Sequence, residues 1–131
     1  MKNIDLLAIN FENFIQNNKN IFIGKNIAIA ISGGADSLAL AILANKYKYK
    51  YNYKLIAFSI DHQLRSEAAK EVRYVKNLMN SINIKHHTLV WTAIKPKTKI
   101  QESARIARYD LLSEACNKHQ CDNVLLGHHA D

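Results

Sequence analysis

The sequence predicts an α/β fold: a parallel sheet with helices on both faces. Two observations carry that expectation. Ile27-Ala28-Ile29-Ala30-Ile31 is an unbroken run of small and β-branched apolar residues, the pattern of a strand buried on both sides. Short apolar runs then alternate with longer helix-like stretches along the chain, as in successive βαβ units.

Taken in order, Ile4, Leu7, Phe11, Phe14 and Ile15 recur at helical spacing, so residues 4–18 read as an amphipathic helix ending before Gly24. The strand at 27–31 enters Ser32-Gly33-Gly34-Ala35-Asp36-Ser37 and continues into an Ala/Leu-rich helix to Lys46, free of Gly and Pro. A second strand is expected near 55–60 and a helix near 66–82, where Ser66, Glu67 and Glu71 suit the positive helix end. A third strand near 85–91 leads to a loop holding the single proline, Pro96, then a helix near 101–119 and a fourth strand near 123–127. With that strand last, an exposed apolar sheet edge is expected at the C-terminus, leaving the sheet incomplete there.

A chain of 131 residues with 48% hydrophobic content can build one core. No apolar run reaches membrane-spanning length, and the N-terminus lacks the basic-then-apolar layout of a signal peptide, so a cytoplasmic protein is expected. Cys116 and Cys121 have no second pair to complete a zinc or cluster site and read as two reduced thiols. The net charge of +7 invites a nucleic-acid partner. Lys, Asn and Ile, however, supply 44 of the 131 residues, a skew that genomic codon bias alone can impose. The positions of the four arginines, Arg65, Arg73, Arg105 and Arg108, therefore say more than the total. Lys46 to Lys54 alternates basic and aromatic residues, which suits either a single-stranded RNA platform or a solvated connection with partly packed tyrosines. Topology favours the connection, since this stretch joins a helix end to a strand start.

In parallel sheets ligands bind beyond the carboxyl ends of the strands. Ser32–Ser37, Asp61-His62, Trp91 onward and Gly127–Asp131 all follow strands, so they are expected on one rim. Gly33 and Gly34 allow a tight turn and close backbone approach to a ligand, while the first helical amides point outward, which makes an anion site. The Lys of the Walker pattern is missing and no dinucleotide G-x-G-x-x-G is present. Ser-Gly-Gly-x-Asp-Ser instead resembles the PP-loop of the N-type ATP pyrophosphatases. That resemblance implies a Rossmann-like, adenine nucleotide alpha hydrolase-like fold, with residues 1–24 as lead-in and 25–131 as the ATP-binding catalytic domain. It also implies ATP held by Ser32, Gly33, Gly34, Ala35, Asp36 and Ser37, and Mg2+ beside Asp36, whose negative charge would otherwise oppose phosphate. A plain strand-to-helix turn with Asp36 or Ser37 as N-cap is the competing reading.

Asp61-His62-Gln63-Leu64-Arg65 is similar to a motif of the tRNA(Ile)-lysidine synthases, a PP-loop family; alone, an Asp-His pair at a strand end is more often a hydrogen-bonded turn. Trp91-Thr92-Ala93-Ile94-Lys95-Pro96 and Gln101-Glu102-Ser103-Ala104-Arg105-Ile106-Ala107-Arg108-Tyr109 resemble a second stretch of that family, with Lys99 where many members carry Asn. Helical spacing puts Glu102, Arg105 and Tyr109 at successive turns of one face with Arg108 beside them, a pattern that an ordinary salt-bridged face also gives. Leu125-Leu126-Gly127-His128-His129-Ala130-Asp131 resembles the start of the family's acidic motif.

The resemblance implies an ATP-dependent ligase: ATP adenylates the C2 carbonyl oxygen of the wobble cytidine in tRNA(Ile) with loss of pyrophosphate, and the amine of L-lysine then attacks C2 and displaces AMP to give lysidine. The catalytic residues it implies are Asp36, Arg105, Arg108, His129 and Asp131, with Asp61, His62 and Arg65 elsewhere on the rim. A PP-loop tRNA thiolase and an inactive ATP-binding fragment are the alternatives.

Overall fold

The computed structural model describes residues 2–5, 10–32, 34–63, 67–92 and 94–126. Five parallel strands form one sheet in the order β1-β5-β2-β3-β4, with β1 at Lys2–Asp5, β2 at Asn26–Ala30, β3 at Lys54–Asp61, β4 at Lys85–Val90 and β5 at Cys121–Leu126. The helices are α1 (Phe11–Asn17), α2 (Lys19–Phe22), α3 (Ala35–Tyr47), α4 (Glu67–Ser81) and α5 (Ile100–Lys118).

Strand β2 shows why the sheet sits between two helical layers. Ile27, Ile29 and Ile31 pack with Phe11, Ile15 and Phe22 of α1 and α2, Leu40 and Ala44 of α3, and Val75 and Met79 of α4. The intervening Ala28 packs on the other face with Ile56, Phe58, Val124 and the α5 residues Leu112, Ala115 and Cys116. The period-two alternation of a strand thus distributes large and small apolar residues to two cores. Crossovers of one hand carry the chain from β2 through β3 to β4 on the first face, and the return to β5 lays α5 on the second. Strand order reverses between β2 and β5, where ligands of such sheets bind.

The N-terminal expectation is corrected. Residues 4 and 5 end β1, which pairs in parallel with β5 through Ile4↔Leu125 and Asp5↔Leu126, and the helix begins only at Phe11. An unfilled edge on β5 outweighs the local helical spacing of Ile4, because each backbone group on that edge needs a partner. For the same reason β5 is an interior strand, and the exposed C-terminal edge expected on it is covered by β1.

Asn10 caps α1, its side chain accepting from the Asn13 amide at 3.2 Å. The Lys46–Lys54 stretch ends α3 and leads into β3, at the amino end of the sheet. Tyr51 and Tyr53 are buried there, Tyr53 donating to the Ala44 carbonyl at 2.5 Å, while Tyr49 is 84% exposed. Its tyrosines therefore divide between packing and solvent.

Candidate functional site

The rim at the carboxyl ends of the strands is assembled from three loops. Ile31, buried behind β2, donates its amide to the Phe58 carbonyl of β3 at 2.9 Å and so fixes where the next residues start. Gly34 is the N-cap of α3 with an extended backbone (φ −75°, ψ 161°), and the first intrahelical bond runs from the Leu38 amide to the Gly34 carbonyl at 3.2 Å. Neither Asp36 nor Ser37 is the cap; they are helical residues of the first turn. The amides of Ala35, Asp36 and Ser37 precede that first intrahelical bond, so their partners must come from outside the helix. They lie at the positive end of a 13-residue helix, a setting suited to an anion.

The two serines brace the turn across five residues. Ser37 Oγ accepts from the Ser32 amide at 3.2 Å and donates to the Gly34 carbonyl at 3.2 Å; Ser32 Oγ lies 3.3 Å from Ser37 Oγ and accepts from the Gly34 amide at 3.3 Å. Ser37 is buried, so its hydroxyl acts as a strut, whereas Ser32, Gly34, Ala35 and Asp36 are exposed and face whatever occupies the turn. The exposed Asp36 carboxylate is the kind of hard oxygen ligand that Mg2+ takes together with phosphate oxygens. A Cβ built at Gly34 would meet only Ser32 Oγ, at 3.4 Å. Glycine here is thus not demanded by the backbone, and what its missing side chain leaves open is the approach from solvent.

At the neighbouring strand end, Asp61 Oδ1 accepts from the Gln63 amide at 2.9 Å, closing a turn whose Gln63 has φ 57°, while the Asp61 carbonyl accepts from the Trp91 amide at 2.9 Å. The carboxylate of Asp61 therefore shapes the loop. Half-buried His62 packs edge-on against Trp91, with ring centroids 5.8 Å apart. Its Nε2 is buried with no hydrogen-bond partner among the described residues. Burial lowers the His62 pKa below its ordinary value, a hydrogen bond to the Ala104 backbone opposes this, and the nearby Arg108 charge lowers it further. Lys95 closes the group, its Nζ donating to the Trp91 carbonyl and lying 4.6 Å from the Trp91 ring centroid.

The structure thus brings His62 and Arg108 together with Trp91 and Lys95, two residues of the sequence match not singled out as site residues. Their signal was the Trp-x-x-x-Lys spacing directly after a strand. Arg105, three residues before the half-buried Arg108, lies with Glu102 and Tyr109 on the exposed face of α5. Gly33, Arg65, His129 and Asp131 lie outside the described residues. The chain's two cysteines sit away from this rim: Cys121 opens β5 at the amino end of the sheet and Cys116 is in the last turns of α5. Both are buried and free, and burial raises both thiol pKa values, that of Cys121 to about 11.

A parallel sheet whose central strand runs through a braced Gly turn into an outward-facing helix start is the α/β architecture in which anionic ligands are received at a helix N-terminus. Residues 5–131 match the model of the PP-loop domain, and the chain belongs to that family. It is 40% identical over 126 residues to the tRNA(Ile)-lysidine synthase of Rickettsia akari, covering 96% of this chain and 29% of that protein. It is 41% identical over 105 residues to that of Orientia tsutsugamushi, covering 80% and 24%, and 42% identical over 106 residues to that of Bartonella tribocorum, covering 79% and 21%. The chain therefore spans about a quarter of the length of these relatives. Among solved structures, the tRNA thiolase NcsA of Methanococcus maripaludis superposes with a TM-score of 0.72 at 21% identity, over 89% of this chain and 46% of that one, a likeness of fold.

Proposed function

We propose that this domain is the ATP-using part of an enzyme that ligates lysine to C2 of the wobble cytidine of tRNA(Ile), acting in the cytoplasm. The observation that carries the reading is the braced turn from Ser32 to Ser37 at the start of α3, joined to about 40% identity with lysidine synthases over most of the chain. In this reading Ser32, Gly33, Gly34, Ala35 and Asp36 hold ATP, with Ser37 adding its amide while its hydroxyl braces the turn, and the cytidine C2 oxygen attacks the α-phosphorus as pyrophosphate leaves. The lysine amine then attacks C2 and expels AMP.

Asp36 would hold Mg2+, which supplies neutralisation of phosphate charge. Arg108, beside His62, stabilises phosphate charge or orders the substrates. Arg105 acts only if a substrate reaches its exposed face; Asp61, His62 and Arg65 complete the rim, and His129 with Asp131 begins the lysine site. Within residues 1–131, the two cysteines that sulfur transfer of the thiolase kind could use are both buried with raised pKa values. A chimera in which residues 1–131 replace the matching segment of the Rickettsia akari synthase tests the reading. It should incorporate labelled lysine into tRNA(Ile) only with ATP. A folded, ATP-binding chimera that transfers no lysine would contradict it.

A further inference from the structure

Trp91 is the only tryptophan of the chain and lies immediately beyond the end of β4. The register Ile60↔Leu89 and Asp61↔Val90, continued by the Trp91 amide donating to the Asp61 carbonyl at 2.9 Å, sets Trp91 opposite His62. Both follow on the face of the sheet that packs Ile60 and Leu89 against the α5 core. The indole is buried, with the His62 ring perpendicular to it and 5.8 Å away between centroids. Packing accounts for a buried ring at a strand end, but not for the cation that rests on it.

Lys95 is held from several sides. Pro96 follows it and restricts its backbone to extended conformations. Its Nζ donates to the Trp91 carbonyl, and the same amine lies 4.6 Å from the centroid of the Trp91 ring. Elsewhere among the described residues, lysine amines lie over the rings of their chain neighbours, Lys46 on Tyr47, Lys48 on Tyr49 and Lys50 on Tyr51, at 5.3–5.5 Å, which sequence adjacency alone can give. Lys95 instead folds back across a loop to a closer contact. Ordering a lysine side chain forfeits the freedom of its rotatable bonds, a loss that a solvated loop lysine avoids. That loss is offset where the ammonium must meet an anion in one place, because the entropy is then given up before binding.

We propose that Trp91 is a positioning residue: its ring and carbonyl hold Lys95 at the rim to meet a backbone phosphate of the RNA substrate. This role rests on the reading of the domain as acting on an RNA. Strand β4 is two places from β2 in the sheet, which sets Trp91 about 10 Å to the side of the turn where ATP is received. A cation at that offset neighbours the ATP turn without belonging to it. An RNA strand entering the rim there meets an ammonium already in place.

The test is binding of a labelled tRNA(Ile) transcript and, separately, of Mg–ATP to the 131-residue chain and its variants. Lys95→Gln should weaken transcript binding about fivefold at low salt and flatten the slope of log K against log salt by roughly 0.7 to 0.9, the share of one phosphate contact. Lys95→Arg should retain wild-type binding, since a guanidinium also rests on an aromatic face. Trp91→Leu should weaken binding about threefold, and Trp91→Phe, which keeps a ring, by less. In the Lys95→Gln background, Trp91→Leu should have no further effect, because the ring acts only through the amine; if Trp91→Leu does not fold, Trp91→Phe completes the same cycle. Emission from Trp91 should differ between the wild type and Lys95→Gln before any ligand is added, and Mg–ATP affinity should be the same in all. Additive losses, unchanged emission, equal transcript binding in Lys95→Gln, or no transcript binding by the wild-type chain would overturn the proposal. So would a loss confined to Mg–ATP, which would assign Lys95 to the nucleotide. A lysine-incorporating chimera unaffected by both substitutions would overturn this role and leave the proposed function standing; coupled losses in transcript binding with a chimera that transfers no lysine would do the reverse.

Discussion

The amino end of the sheet is built on aromatic packing; the carboxyl end is built on loops and a helix start that present polar groups to solvent. Phe11, Phe14, Phe22, Tyr47, Tyr51 and Tyr53 form a continuous aromatic cluster under the strand starts, with Tyr51 donating to Glu12 at 2.7 Å. Around the other rim, the Ser32–Ser37 bonds of 3.2–3.3 Å are long, the first α3 amides precede the helical ladder, and His62 Nε2 is buried without a partner among the described residues. Stability is thus concentrated at one end and chemistry at the other, so substitutions at the two ends should separate folding from binding.

The largest effect is expected in the aromatic cluster. Phe22 is fully buried and touches Phe11, Phe14 and Tyr53, so Phe22→Ala should cost about 3–5 kcal/mol in urea unfolding. A loss below about 1 kcal/mol would show that this end does not anchor the fold. At the opposite rim, Lys99 is the N-cap of α5 in the left-handed region (φ 53°, ψ 40°) with no side-chain cap. Asn tolerates that conformation better and can accept from a helix amide, so Lys99→Asn should raise stability by about 1 kcal/mol. An unchanged denaturation midpoint would place the strain elsewhere.

A smaller effect is expected from pH. His62, His86 and His87 all have pKa values lowered from 6.5, in each case chiefly by burial. The unfolded chain therefore binds protons that the folded chain refuses. Their contribution is complete above about pH 6.5 and is lost as pH falls below it towards the depressed folded values. The melting temperature should decline over that interval, and less steeply in His87→Gln. A flat profile from pH 7 to 5 would contradict the buried, neutral assignment.

Much of this arrangement was legible from residues. Ile27 to Ile31 announced a two-sided strand, and Gly33-Gly34 after it announced the turn into a helix. The five later apolar and helical stretches fell within a few residues of β3, α4, β4, α5 and β5. The first strand was not legible, because Ile4 fits a helical stripe and only pairing with β5, more than a hundred residues away, makes residues 2–5 extended. Helical spacing grouped Arg105 with Arg108, yet only the packing of α5 distinguishes the half-buried residue beside His62 from the exposed one. Likewise Ser37 read as a phosphate ligand, and its burial against the Gly34 carbonyl emerges only from the folded turn.

The central claim is that the turn from Ser32 to Ser37 is shaped for ATP, and calorimetric titration of Mg–ATP into the wild-type chain and Gly34→Val tests it most directly. The extended backbone and the single 3.4 Å neighbour of an added Cβ mean that the variant should fold, with a loss of about 1 kcal/mol from the weaker N-cap. Its branched side chain would stand where phosphate approaches, so ATP should bind the wild type and bind the variant at least tenfold more weakly. Equal affinity in the two folded proteins, or no ATP binding by the folded wild type, would contradict the account.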